Sequence, residues 1–342
     1  MDARVQEAES GRRVTTGLVL GKFLPPHTGH LHLVAEARAR VDRLTVVVGS
    51  LAREPIPGAL RFEWMRELCP GDEVVHLAEE LPQEPHEHPG FWDLWTAALR
   101  RVIPAGPDFV FTSESYGDEL ARRLGARHVC IDPARKAVPV SGTAIRNDPM
   151  AHWDFIPACV RPHFVKRVVI YGPESAGKTT LARRLAEEFR TEWVPEYARG
   201  FIDRKGAFVE PGDIGHVVAG QIASENAAAR RANRVLFCDS DLNTTVIYFT
   251  HYFGSCPPWV AHLSCRRTSH LILLCEPDIP WEADPQRDQG LRRGWFREWF
   301  RARLDEQGRP WRAVTGLGES RFVAARHLVT DSLGLARTTS AS

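Results

Sequence analysis

The segment Gly172-Pro173-Glu174-Ser175-Ala176-Gly177-Lys178-Thr179 constrains this chain more than any other. It fits G-x-x-x-x-G-K-[ST] without a mismatch, follows the apolar run 168–171 and opens an amphipathic stretch at 178–190. Strand, glycine-rich loop and helix in that order point to a parallel sheet covered by helices. The glycines let backbone N–H groups turn inward around phosphate oxygens, and the helix N-terminus adds positive potential. Gly172, Glu174, Ser175, Ala176, Gly177 and Thr180 are the expected wrap around a nucleoside triphosphate. Lys178 is expected on its β- and γ-phosphates and Thr179 on Mg²⁺.

A second phosphate-handling signature, Gly21-Lys22-Phe23-Leu24-Pro25-Pro26-His27-Thr28-Gly29-His30, follows a strand read at 17–20 and opens a helix read at 29–40. His27 and His30 are three apart, so both imidazoles lie on one face near the helix N-terminus. From there they can donate to an α-phosphate as charge builds in an in-line displacement, and Lys22 adds a second cationic arm. A surface helix or a metal pair is the alternative; zinc would need a third and fourth ligand, and none is placed obviously nearby. His86-Glu87-His88, in a Pro-rich loop, reads as solvated polypeptide. Val140-Ser141-Gly142-Thr143-Ala144-Ile145-Arg146 adds a capped helix start with an Arg on its first turn, a further anion site.

Strand-length apolar runs alternate with helix-length stretches throughout, an α/β pattern in two domains. Strands are expected at 44–48, 109–112 and 127–131, with a helix at 60–69 followed by loop up to residue 89. The rhythm restarts at 168–171, with further strands at 234–238 and 270–275. The expected boundaries are a tail at 1–14, domains at 15–161 and 162–334, and a tail at 335–342. Asp239 and Asp241 end the strand at 234–238, where one acid can hold Mg²⁺ and the other take an acceptor proton; a helix N-cap is the alternative. Arg287, Arg292 and Arg293 fall in a basic helical segment, 287–303, read either as a phosphoryl-binding lid or as a solvated helix face. Trp281 lines an acceptor pocket or belongs to the core.

The 342 residues suffice for two cores, and 43% apolar with 25% charged residues is a globular composition. A formal net charge of +1 gives no bulk attraction to nucleic acid or membrane. The longest apolar runs fall far short of a membrane span. Seven cysteines without a Cys-x-x-Cys pair point to reduced thiols in a cytoplasm. The polar first thirteen residues read as neither signal nor transit peptide.

GKFLPPHTGH and VSGTAIR resemble the paired signatures of the nucleotidylyltransferase superfamily. GPESAGKT, Pro-Glu-Tyr-Ala-Arg at 195–199, Asp-Ser-Asp at 239–241 and Pro-Trp-Glu-Ala-Asp at 280–284 resemble ribosylnicotinamide kinase domains. Their order, with Trp-Asp-Phe-Ile-Pro at 153–157 between them, is similar to the bifunctional NadR-type family. The resemblance implies a Rossmann-like nucleotidylyltransferase domain followed by a P-loop kinase domain. The second would phosphorylate nicotinamide riboside with ATP, and the first would join the mononucleotide (NMN) to ATP, giving NAD and pyrophosphate. By position it implies Gly21, Phe23 and Lys22 around the triphosphate, His27 and His30 on the α-phosphate, and Ser141, Thr143 and Arg146 on the β- and γ-phosphates. It implies Glu196 and Arg199 on the acceptor side, Trp92 and Trp281 against nicotinamide, and Thr179 with Asp239 on Mg²⁺. Indole is the best aromatic partner for the cationic pyridinium ring.

Some members carry an N-terminal helix-turn-helix domain; about sixteen residues precede the first strand here, so direct DNA binding is not expected. The lid reads Asp284-Pro285-Gln286-Arg287 in place of Asp-Gly-x-Arg, which stiffens its hinge. Two other readings stand beside this one: an NAD- or ATP-sensing regulatory protein, coupled to a riboside transporter, and a fusion of another nucleotidyltransferase and kinase with a different small substrate. A homo-oligomer fits each of them.

Overall fold

The computed structural model describes residues 13–282, 284–286 and 289–334. The expected tails lie outside it apart from Arg13 and Val14, and so does Arg287. The chain divides into two compact units, Met1–Val160 and Arg161–Ser342.

The first unit runs β1 (Thr16–Gly21), α1 (Thr28–Arg38), β2 (Arg43–Gly49), α2 (Gly58–Leu68), β3 (Glu73–Leu77), α3 (Phe91–Val102), β4 (Phe109–Thr112), α4 (Gly117–Leu124), β5 (Arg127–Cys130) and α5 (Gly142–Asn147). All five strands are parallel, in the order β3-β2-β1-β4-β5. Burial on both faces explains their near-continuous apolar runs. Val19, Val46, Val48 and Phe111 pack under Leu33, Val34 and Met65 of α1 and α2. Leu18, Val47 and Val110 pack against Ala98, Leu99, Leu120 and Ala121 of α3 and α4. The order reverses between β1 and β4, which opens a crevice at the strands' carboxyl ends. The loop expected after α2 is instead partly an edge strand, β3. Its Val74 and Val75 sit between Glu73 and His76, too short an apolar run to announce itself.

The second unit runs α6 (Arg161–Phe164), β6 (Lys166–Tyr171), α7 (Lys178–Glu188), β7 (Trp193–Val194), α8 (Tyr197–Lys205), α9 (Ile214–Arg231), β8 (Val235–Asp239), α10 (Leu242–Phe253), α11 (Pro258–Arg266), β9 (Leu271–Cys275), α12 (Arg293–Glu306), β10 (Trp311–Val314) and α13 (Gly318–Leu333). Its sheet is also all parallel, β10-β9-β6-β8-β7. The P-loop leaves β6 at the centre, and the pairing of Ile170 with Asp239 carries that acid to the end of the neighbouring strand. No described helix is long and apolar enough to cross a membrane.

Candidate functional site

In the first unit a cavity of about 870 Å³ lies over the carboxyl ends of the strands. His27 is the N-cap of α1, its Nδ1 accepting from Gly29 N at 3.1 Å. An accepting ring nitrogen is unprotonated, so the imidazole is neutral and carries its hydrogen on Nε2. Burial, then the nearby Arg135 guanidinium, pull its pKa down to about 4. His30 stacks on it with centroids 3.7 Å apart and 29° between planes. Its pKa also lies well below the usual value, through burial first and then His27 and Arg135. Two neutral N–H donors therefore line the cavity at pH 7. Phe23 closes edge-on against His30 at 4.9 Å.

Lys22 stands half-exposed beside these rings, 3.5 Å from Glu54. Glu54 also holds the fully buried Arg61, which donates to the carbonyls of Ile56 (3.0 Å) and Lys22. This buried cation ties the end of β1 to the loop before α2. It is a residue the motifs miss, and its only signal is a charge between Leu60 and Phe62.

The second signature docks on the first. Ser141 caps α5 by accepting from Ala144 N at 3.1 Å, and Arg146 donates to the Leu24 carbonyl and to Thr143 Oγ1 (3.0 Å). A Cβ on Gly142 would lie 2.6 Å from the Leu24 oxygen, so only glycine allows this approach. Gly21, Ser141, Thr143 and Arg146 all line the cavity, and so do Trp92 and Trp95. Trp92 packs on Phe91 with Arg123 above its ring at 5.8 Å; Trp95 donates to the Pro82 carbonyl at 2.7 Å. Arg135 and Glu114, which sequence reasoning did not name, also line it. In the His86–His88 loop, Glu87 accepts from Gln83 N and His88 Nδ1 from Gly90 N. No metal-binding cluster of three His, Cys, Asp or Glu occurs among the described residues.

In the second unit a cavity of about 500 Å³ is lined by the P-loop residues Glu174 to Thr180 together with Glu196, Arg199, Gln221 and the α10 aromatics. Gly172 makes the bend off β6 at φ 137°, where a Cβ would lie 2.8 Å from the Cys275 carbonyl oxygen. Gly177 is the left-handed N-cap of α7, and Lys178 Nζ donates to the Pro173 carbonyl at 2.9 Å. Thr179 Oγ1 donates to Asp239 Oδ2, while Asp239 Oδ1 is buried with no protein partner. A hydroxyl beside a carboxylate with an idle oxygen is a fit donor set for a small divalent cation that keeps most of its water. Burial raises the pKa of Asp239 and of Glu196, against the pull of Lys178 on both.

Three expectations change here. Asp241 lines the cavity but is also occupied structurally: it caps α10 through Asn243 N at 2.9 Å and pairs with Arg309 at 3.0 Å. Arg293, read as part of a phosphoryl-binding lid or of a solvated helix face, does neither here: it donates to the carbonyls of Ile279 (3.0 Å) and Ser175 (2.9 Å) and so braces the P-loop, while Arg292 is exposed. Trp281 lies against Gly290, outside the lining residues. The wall is formed instead by Tyr248, Phe249, Tyr252 and Phe253 of α10, and the buried hydroxyls of Ser240 and Thr244, without protein partners, line the same space. Arg199 pairs with Asp284 at 3.1 Å and stands 4.0 Å from Glu196.

The two sheets and their sites define a nucleotidyltransferase domain followed by a P-loop phosphotransferase domain. Residues 18–148 match the cytidylyltransferase-like family, and residues 167–321 match a family described as an AAA domain. The trifunctional NAD biosynthesis/regulator protein NadR of Escherichia coli (strain K12) is 30% identical over 348 residues, covering 94% of this chain and 84% of that protein. A crystal structure of a NadR protein in complex with NR is 25% identical with a TM-score of 0.80, covering 95% of this chain and 98% of that one. Another, in complex with NAD and AMP-PNP, shares the fold at 24% identity and a TM-score of 0.78, covering 96% and 99%. The chain belongs to the NadR family.

Proposed function

We propose that this chain makes NAD in two steps, phosphorylating nicotinamide riboside with ATP at the P-loop site and adenylylating the resulting mononucleotide at the His27–His30 site. The observation that carries the reading is the presence of two complete nucleotide-handling sites in one chain, each with its reacting groups in a separate cavity. Family membership supports the substrates, and the NR and NAD named for the two solved relatives support the same pair of reactions.

In the kinase, Thr179 and Asp239 would hold Mg²⁺, which supplies charge neutralisation of the β- and γ-phosphates when bound. Lys178 leaves the Pro173 carbonyl for those phosphates. Glu196 interacts in charge with Lys178 and Asp239 and would take the acceptor hydroxyl's proton; Asp241 lines the same cavity but its carboxylate is held by Arg309 and the α10 N-terminus. The α10 aromatics supply the flat wall for a pyridinium cation. In the transferase, the neutral imidazoles of His27 and His30 donate to the α-phosphate as a fifth oxygen approaches, and Lys22, Ser141, Thr143 and Arg146 hold the departing pyrophosphate.

Half-reactions test the reading. Lys178→Ala should stop riboside phosphorylation, a loss on the order of 10²-fold or more, while NAD synthesis from supplied mononucleotide persists. His30→Ala should do the reverse. Loss of both activities in either folded variant would sink the two-site reading.

A further inference from the structure

A chain of contacts runs from the surface of α4 to the wall of the cavity that the histidine pair lines, and none of it belongs to a signature. Asp118 Oδ1 lies 2.7 Å from His128 Nδ1, and His128 Nε2 lies 2.9 Å from Thr112 Oγ1. Thr112 Oγ1 is also 2.8 Å from the Glu114 carbonyl and accepts from Glu114 N at 3.3 Å. The Glu114 carboxylate pairs with Arg135 at 3.5 Å, and Arg135 is the cation whose field reaches both His27 and His30. Gly117 makes room for the junction, because a Cβ there would fall 2.2 Å from His128 Nε2 and 2.6 Å from Thr112 Oγ1. The far end of the 112–116 turn is held by Tyr116, whose hydroxyl donates to the Leu20 carbonyl at 3.2 Å.

We infer that His128 is a positioning residue for adenylyl transfer, acting through Thr112 and the 112–116 turn to hold Glu114 and hence Arg135 in the wall of the cavity that His27 and His30 also line. The Thr112 hydroxyl has one hydrogen and faces two groups able to accept it, His128 Nε2 and the Glu114 carbonyl. A ring that gives its Nδ1 hydrogen to Asp118 accepts at Nε2, so the hydroxyl donates to His128 and accepts from Glu114 N, which closes the turn. Asp118 accepts at the opposite nitrogen and fixes the ring plane. Asp118 on α4 and Glu114 on the turn carry the charges at this junction, with Arg135 beyond Glu114. The Thr112 hydroxyl is buried, whereas the Glu114–Arg135 pair is about half exposed, so its contribution is orientation rather than stability.

The inference rests on adenylyl transfer at the His27–His30 site, and the test separates the two. Steady-state NAD synthesis from mononucleotide and ATP would be measured for His128→Gln, His128→Asn, Thr112→Val and Arg135→Ala, and for each of the first three combined with Arg135→Ala. Gln places an amide oxygen at the Nε2 position, able to accept from Thr112, whereas Asn reaches only the Nδ1 position. His128→Asn and Thr112→Val should lower kcat by about fivefold with KM for ATP little changed, and His128→Gln should recover most of it. In the Arg135→Ala background none of the three should cost anything further. Far-ultraviolet circular dichroism and melting of each variant confirm folding, and isosteric Thr112→Val supplies the test if a His128 variant fails to fold. Additive losses, or equal losses for Gln and Asn, would overturn the relay. An inert Arg135→Ala would overturn it too, and would in addition remove Arg135 from the site.

Discussion

His27 does two jobs with its two nitrogens, and they fix its charge. As N-cap it must accept at Nδ1, so the neutral form with Nε2–H is the folded form. Its folded pKa of about 4 lies below the unfolded value near 6.5. The unfolded chain therefore binds more protons between these values; the stabilisation is complete above pH 6.5 and is lost as pH falls toward 4. The slope for this one group approaches about 1.4 kcal/mol per pH unit. His27→Asn keeps a capping acceptor but no titration, so its melting temperature should fall less than wild type's between pH 6.5 and 4.5. Parallel curves would show that the buried ring does not titrate as described. In the kinase cavity, Tyr252→Ala should weaken riboside binding by about 1 to 2 kcal/mol in calorimetric titration, and more for the cationic riboside than for its uncharged reduced form. Trp281→Ala should leave that affinity within about twofold, below the scale of a lost cation–π contact. The opposite ranking would return Trp281 to the ring-binding role.

At the scale of elements, the functional loops are held from beneath by buried side chains donating to backbone carbonyls. Arg321 of α13 donates to the carbonyls of Gly316 (2.8 Å), Ala176 (2.8 Å) and Glu276 (3.0 Å) and pairs with Asp278, so the last helix fastens the P-loop. Arg321→Leu should destabilise the second unit by about 3 kcal/mol, because it strands Asp278 and three carbonyls. Chemical denaturation followed by loss of kinase activity would measure it; an unchanged midpoint would rule out the strut. Gly220 of α9 is a similar contact point, since a Cβ there would lie 2.0 Å from the Tyr197 ring at the start of α8, beside Glu196. These supports explain what was legible in the sequence. Strands buried on both faces, such as residues 109–112 and 271–275, announce themselves as apolar runs, and the P-loop and His-x-x-His signatures carry fixed spacing because phosphate geometry demands it. Edge strands β3 and β10 are partly polar and β7 is only two residues long, so their pairing is visible only in three dimensions. Arg61, Arg135 and Arg321 act through contacts distant in sequence, and no local pattern marks them. Asp241 and Asp239 look alike in sequence; Thr179 beside the buried Asp239, and Arg309 and the α10 N-terminus on Asp241, distinguish their surroundings.

At the scale of the whole molecule, two chemically independent sites must connect through the product of one. Each cavity lies within its own unit, and each unit has its own parallel sheet and core. Mononucleotide released from one chain should therefore serve another. The most direct test supplies riboside labelled in its nicotinamide ring with Mg·ATP to wild type, to Lys178→Ala, to His30→Ala and to an equal mixture of the two variants, with products separated by chromatography. Wild type should yield labelled NAD, Lys178→Ala should leave the riboside untouched, and His30→Ala should accumulate labelled mononucleotide. The mixture should restore labelled NAD. A mixture that makes none, although each folded variant retains its remaining half-reaction, would contradict the claim that this chain carries two separable sites acting in sequence.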